Sequence, residues 1–215
     1  MDFETGPPHA KKSRYHHGDL RAELLKAAEA ILSENGIESF SLRAVAKRAG
    51  VSHGAPSHHF SDVRGLLTSL AGIGFQRFVR TQIDRQSEAK ADSVSQLAAS
   101  GLGYIDFAIE NPALFRLMFN SEQPDHLDQH LAFEAFSAFN KLVVDVKNVR
   151  KIDPYSDPVV MKDVMSAWAI VHGLANLMIS NRAGTAMDFA RMSKADRDAE
   201  LTDIILRAIG LSANT

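Results

Sequence analysis

The stretch Ser41–Phe60, SLRAVAKRAGVSHGAPSHHF, decides how the rest of the chain is read. Ser41 is a helix-capping residue, and Leu42, Val45 and Ala46 form a buried stripe that predicts a short helix to about Ala49. Gly50 supplies a turn. Ser52 is placed to cap a following helix of about seven residues, with Pro56 in or just after its first turn, where a missing N–H costs least. Two short helices joined by a glycine turn are the plan of a helix-turn-helix, which lays its second helix in the DNA major groove.

Upstream, Leu20, Leu24, Ala28 and Ile31 share one helical face, which predicts a helix from about Gly18 to Asn35. Asp19 suits its positive N-terminal end and Asn35-Gly36 stops it. Residues 1–17 are polar, contain Pro7-Pro8 and lack periodicity, so they read as a flexible N-terminal arm. Lys12 and Arg14 make that arm basic and are candidates to touch phosphate or the minor groove.

Downstream, Asp62 is expected to cap a long helix to about Ser87. Asp92 or Ser93 starts the next, which Asn111-Pro112 breaks because a residue before proline avoids the α region. Pro112–Asn120 reads as a short apolar helix. After Pro124 a long helix carries Leu131 to Val146 and ends at Asp153-Pro154. Asp157-Pro158 opens another to about Asn181, and a last amphipathic helix spans about Lys194–Ile209. No run alternates apolar and polar residues with β-branched enrichment. The expected fold is all-α: a three-helix DNA-binding domain over 18–62, then a helical bundle over 63–215.

Composition narrows the function. Forty-five per cent hydrophobic residues suffice for a core, and the absence of cysteine excludes thiolate catalysis and cysteine-ligated zinc. No Walker A, Gly-x-Ser-x-Gly or Gly-x-Gly-x-x-Gly motif occurs, so no catalytic set or cofactor is expected. The net charge of −2 is poor for a DNA binder as a whole, but residues 1–64 hold nine Lys/Arg against eight Asp/Glu and six of the nine histidines. Affinity is therefore expected from a local footprint. The apolar stretch Trp168–Ile179 is too short to span a membrane, and no signal-peptide pattern is seen; a cytoplasmic location is the expectation.

Residues 18–72 resemble the N-terminal domain of the Tet repressor (TetR) family of bacterial regulators. The resemblance rests on Leu25, Ala27-Ala28, Gly36, Ser41-Leu42, Val45-Ala46, Ala49-Gly50-Val51-Ser52, Gly54, His59-Phe60 and Leu66-Leu67. The C-terminal part resembles the WHG subtype, through Asn111–Phe119 and then Trp168, His172-Gly173-Leu174. The resemblance implies a homodimer, a small-molecule effector bound in the regulatory part, and a palindromic double-stranded DNA operator from which the effector releases a repressor. Pairing is expected through the helices near 158–181 and 194–209. This chain departs from the family at Ser57, where tyrosine is frequent, and at Val63, where lysine is frequent. Ser57 retains one hydrogen bond to give, and Arg64 stands beside Val63 as a replacement cation.

The candidate DNA contacts are Ser41, Arg43, Ser52, His53, Gly54, Ala55, Ser57, His58 and Arg64, besides Lys12 and Arg14. His53 and Ser57 lie one turn apart and can bond bases or phosphates; Gly54 admits close backbone approach, and Ala55 can meet a thymine methyl. Histidine gains charge near physiological pH, so such recognition is expected to be pH-dependent. Candidate effector contacts are the large apolar groups Phe107, Phe115, Met118, Phe119, Phe136 and Trp168, with Tyr104, Asn140, His172 and Asn176 to orient a ligand. Ordinary core packing accounts equally for many of these, and His172 reads as well as a structural histidine. His126 and His130 stand at i and i+4, a metal-ligand spacing; a coincidence of surface residues fits the same spacing, and no metal is assigned. The alternative to a regulator is a helical small-molecule or metal-binding protein whose DNA-binding head is inert.

Overall fold

Nine α-helices carry the residues that the computed structural model describes, namely 20–38, 40–183, 187–189 and 191–211. Lys12, Arg14 and the expected helix start at Gly18 lie outside the described residues.

Helices α1 (Leu20–Asn35), α2 (Leu42–Ala49) and α3 (Ala55–Phe60) pack on one another. Leu24, Ala28 and Ile31 of α1, Val45 and Ala46 of α2, and Phe60 of α3 are buried. Ser41 caps α2 as expected: its Oγ accepts the Ala44 N–H at 3.2 Å. Gly50 closes α2 in the left-handed region at φ +68°, sending its N–H back to the Ala46 and Lys47 carbonyls.

The expectation that Ser52 caps the third helix is corrected. The cap is Gly54, and Ser52 begins a turn in which its carbonyl accepts the Ala55 N–H at 3.0 Å. The reason is Pro56. In a helix capped at Ser52 the first i to i−4 bond would run from residue 56 to that carbonyl, and proline has no N–H to make it. A start after Gly54 moves Pro56 into the first turn, where no donor is needed.

Asp62 caps α4 (Val63–Glu88) through its Oδ1, which accepts the Gly65 N–H at 2.8 Å. At 1.5 Å per residue this helix is about 39 Å long. Its first half buries Leu66, Leu67 and Leu70 in the same apolar cluster as the α1–α3 core, and its second half carries Phe75 and Phe78 into the rest of the bundle. Around it pack α5 (Ser93–Glu110), α6 (Pro112–Phe119) and α7 (Gln129–Arg150), while α8 (Pro158–Ile179) and α9 (Lys194–Arg207) lie against α5. The α4–α5 crossing is tight because residue 103 is glycine: a Cβ there would stand 2.7 Å from the Gln82 Cα. A second buried cluster, centred on Val143, Val146, Val160 and Val164, closes the end of the bundle between α7 and α8.

Three later helices have limits that differ from expectation. The long helix after Pro124 begins only at Gln129, with Asp128 as its cap, and ends at Arg150 because Lys151 adopts a left-handed φ of 59° before Asp153-Pro154 is reached. Helix α8 stops at Ile179, two residues before Asn181, which also has positive φ. Helix α9 stops at Arg207, and Gly210 at φ +70° turns the chain beyond it.

Candidate functional site

The α2–turn–α3 unit places its apolar side chains inward and its polar ones outward. Pro56 and Phe60 are buried, whereas Arg43, Ser52, His53, Gly54, Ser57 and His58 are exposed together and Ala55 is half-buried. No side-chain bond is formed by Arg43, His53, Ser57 or His58 within the described residues, so their donors point to solvent. Arg48, by contrast, is held by both guanidinium nitrogens on Glu34 of α1. Gly54 has nothing near the place a Cβ would occupy, so the outer surface of the turn is open to close approach.

Arg64, the expected replacement cation, is paired with Asp125 in the loop before α7, at 3.3 Å. Thr68 strengthens the same junction: its Oγ1 donates to the Arg64 carbonyl and accepts the Asp125 N–H, each at 2.7 Å. The first turns of α4, beside α3, are therefore fastened to the α6–α7 loop.

Behind the head lies a cavity of about 600 Å³ between α4, α5, α6, α7 and α8. That is within the range of sites for small organic molecules. Of the expected ligand contacts, Tyr104, Met118, Phe119, Phe136 and Trp168 line it. The other five are placed elsewhere. Phe107 and Phe115 are fully buried in the core around Phe78 and Tyr104, because the tight α4–α5 and α5–α6 packing turns them away from the void. Asn140 faces outward and accepts from the Tyr155 hydroxyl at 3.4 Å. Asn176 bonds to Asn120 and to the His172 carbonyl within its own helix. His172 sits one layer back, its Nδ1 2.8 Å from the Tyr104 hydroxyl.

That pair has one preferred protonation state. Burial pushes the Tyr104 phenol up, against a smaller opposite pull from Trp168, and burial pushes the His172 imidazole down. A neutral ring accepts at Nδ1 from the phenol.

The sequence pattern did not single out Phe75, Phe78 and Gln82 on α4 or Ser100 on α5 as lining residues. Gln82 was legible as a polar side chain one turn beyond Phe78 on the apolar face of α4; Ser100 carried no signal of its own. Gln82 and Ser100 are both buried, and the Ser100 hydroxyl donates to Gln82 Oε1 at 2.9 Å.

His126 and His130 do not share a helical face, since α7 begins only at Gln129. His126 Nε2 lies 2.9 Å from the Ser121 carbonyl oxygen, and His130 is turned toward Glu134. Among the described residues no group of three metal-ligating side chains occurs.

Residues 24–70 match the family model for bacterial regulatory proteins of the tetR family, and residues 97–203 match that for the tetracyclin repressor-like C-terminal domain. The chain is 29% identical over 92 residues to the uncharacterized HTH-type transcriptional regulator YobS of Bacillus subtilis (strain 168), covering 43% of this chain and 47% of that protein. It is 33% identical over 75 residues to the HTH-type transcriptional regulator BetI of Proteus mirabilis (strain HI4320), covering 33% and 38% respectively. The matched part thus spans less than half the length of these relatives. A solved structure of a protein with unknown function from Rhodococcus sp. RHA1 superposes with a TM-score of 0.74 at 28% identity, over 94% of this chain and 100% of that one.

Proposed function

We propose, since this chain belongs to the tetR family of bacterial regulatory proteins, that it is a DNA-binding transcriptional regulator acting as a repressor under the control of a small-molecule effector. The observation that carries this reading is the α2–turn–α3 unit, which buries its apolar side and exposes Arg43, His53, Ser57 and His58 with their donors unspent. The helix-turn-helix places such groups at base edges and phosphates. The Trp168–His172 face, set against the cavity and Tyr104, supports assignment of the regulatory half to the WHG subtype.

Two subunits pair through α8 and α9. Support comes from the outward face of α8, where Val159, Met165 and Leu177 are exposed with Ala169, around the exposed Lys162 and Ser166. Large apolar groups left uncovered on one helix face mark a contact surface. Exposed charges on α9, including Lys194, Asp196 and Glu200, form the polar rim. An isologous pair sets two recognition helices about 34–36 Å apart, one DNA turn, and so calls for a palindromic operator. A regulator of chromosomal genes works in the cytoplasm, and no described helix is long and apolar enough to cross a membrane.

Coupling runs through α4. A Cβ on residue 65 would stand 2.1 Å from the Phe60 carbonyl oxygen, so α3 and α4 meet in direct backbone contact. Arg21 and Glu29 of α1 are bound to Ser69 and Arg77 of α4 at 3.2 and 2.6 Å. The head therefore follows α4, whose Phe75 and Phe78 line the cavity. An effector that prefers an α4 position unsuited to the operator must weaken DNA binding by the same factor by which DNA weakens effector binding.

The test is binding of the purified protein to the intergenic DNA upstream of its own gene, against scrambled DNA, over a salt series. Selective binding with a steep salt slope supports the regulator. Equal, weak binding to both, with no fragment enriched in a genome-wide selection of bound DNA, favours the inert-head alternative.

A further inference from the structure

The cavity is lined without a single Asp, Glu, Lys or Arg, and its one histidine, His126, is an exposed residue. Its walls are Phe75, Phe78, Phe119, Phe139 and Trp168, and its polar end is Gln82 with Ser100. Behind Ser100 stand two charges that cancel. Lys141 Nζ donates to Ser100 Oγ at 3.0 Å and to Asp145 Oδ2 at 2.8 Å, and the two charged side chains are only 13% and 10% exposed. Gln86 completes the set by donating to the other Asp145 oxygen at 3.2 Å.

The hydrogen-bond count at this end is uneven. Ser100 spends its one donor on Gln82 Oε1 and accepts from Lys141. The Gln82 amide nitrogen, on a side chain 4% exposed, has only the Phe78 carbonyl at 3.5 Å, the outer limit of a bond. A buried donor left so poorly matched favours any ligand that brings an acceptor. A ligand charge of either sign finds no free countercharge at this buried end, and burying one without a partner is costly.

We infer that the effector is an uncharged, largely aromatic molecule with one carbonyl-type acceptor, which is seated on the Gln82 amide. This rests on reading the cavity as the effector site. Cationic and anionic molecules of the same size and shape are discriminated against.

Trp168 is the only tryptophan and lines the cavity, so its selectively excited emission reports occupancy in the intact protein. Three probes with one body and different heads make the test: biphenyl-4-carboxamide, biphenyl-4-carboxylate and biphenyl-4-ylmethylammonium. The expected result is that the carboxamide binds about tenfold or more tighter than either ion. Equal or tighter binding of an ion overturns the inference and leaves the cavity reading standing. No emission change and no rise in Tm with any probe overturns the cavity reading and the inference together.

Two variants sharpen the result. Gln82→Leu is expected to weaken the carboxamide about tenfold while unsubstituted biphenyl binds as before; equal effects on both would overturn the seat on Gln82. Asp145→Asn releases the Lys141 charge and is expected to raise the carboxylate-to-carboxamide affinity ratio about tenfold. An unchanged ratio in a variant that still melts cooperatively would show that the cancelling pair does not set the preference. The wild-type series stands without either variant.

Discussion

Gly65 shows how much one missing side chain can settle. Its Cα faces the Phe60 carbonyl so closely that even a methyl group would overlap the backbone, which no rotamer change can relieve. Gly65→Ala is expected to cost about 1–3 kcal/mol of stability in urea unfolding and to separate α3 from α4, weakening operator binding as well. On the DNA face, the triple change Arg43→Ala, His53→Ala, Ser57→Ala is expected to abolish high-affinity operator binding while leaving the melting temperature within a few degrees, because all three side chains are exposed. Unchanged affinity in a gel-shift titration would remove these residues from the interface. His172 gives a pH signature. Burial holds its folded value below the ordinary one near 6.5. The unfolded chain thus binds the proton more readily. The contribution of the neutral ring is complete above about pH 6.5 and is lost as pH falls through the lower folded value. Denaturation at about pH 7.5 and about pH 5.5 should show a larger loss of stability for the wild type than for His172→Gln.

At the scale of elements, the α6–α7 loop holds a cation beside the proposed DNA face. Arg64 stands next to Val63 at the start of α4, and Asp125 draws it toward the loop. Both partners are largely exposed, so the pair is weak in itself. Asp125→Asn should free Arg64 for phosphate and tighten operator binding about two- to fivefold at low salt, with a slightly steeper salt slope. If Arg64→Ala changes nothing in that background, the cation plays no part in DNA binding. The recognition helix is itself an element whose start differs from what residue types suggest. Ser52 is a good cap by residue type, but Pro56 four positions on cannot make the bond a helix capped there requires.

At the scale of the molecule, one buried cluster runs from the head through α4 into the regulatory bundle, and the outer stripe of α8 remains uncovered within a single chain. Met165→Arg places a charge in that stripe without touching the core. It is expected to shift the protein to monomers in sedimentation, and to weaken operator binding by about a hundredfold or more because two linked heads no longer act together. A dimer that survives the change would move the interface elsewhere.

Sequence alone determined the class of the fold and the sites of most helix starts, because these depend on local chemistry. A side-chain oxygen at Ser41, Asp62, Asp92 or Asp157 bonds an N–H two or three residues on, and a helical apolar period needs only neighbours along the chain. The exposed face of the helix-turn-helix was legible for the same reason, since its spacing is fixed within twenty residues. The cavity was only half legible. Phe107 and Phe119 are equally apolar, yet one fills the core and the other lines the void. The difference comes from where α4, α5 and α6 cross, which Gly103 and Gly74 permit by letting backbone and Met118 approach. Only the tertiary structure decided that Arg64 faces Asp125 and that the i,i+4 pair Lys141–Asp145 of α7 stands against Ser100 of α5. Charges far apart in sequence compete for partners, and the winner depends on distances that no local pattern encodes.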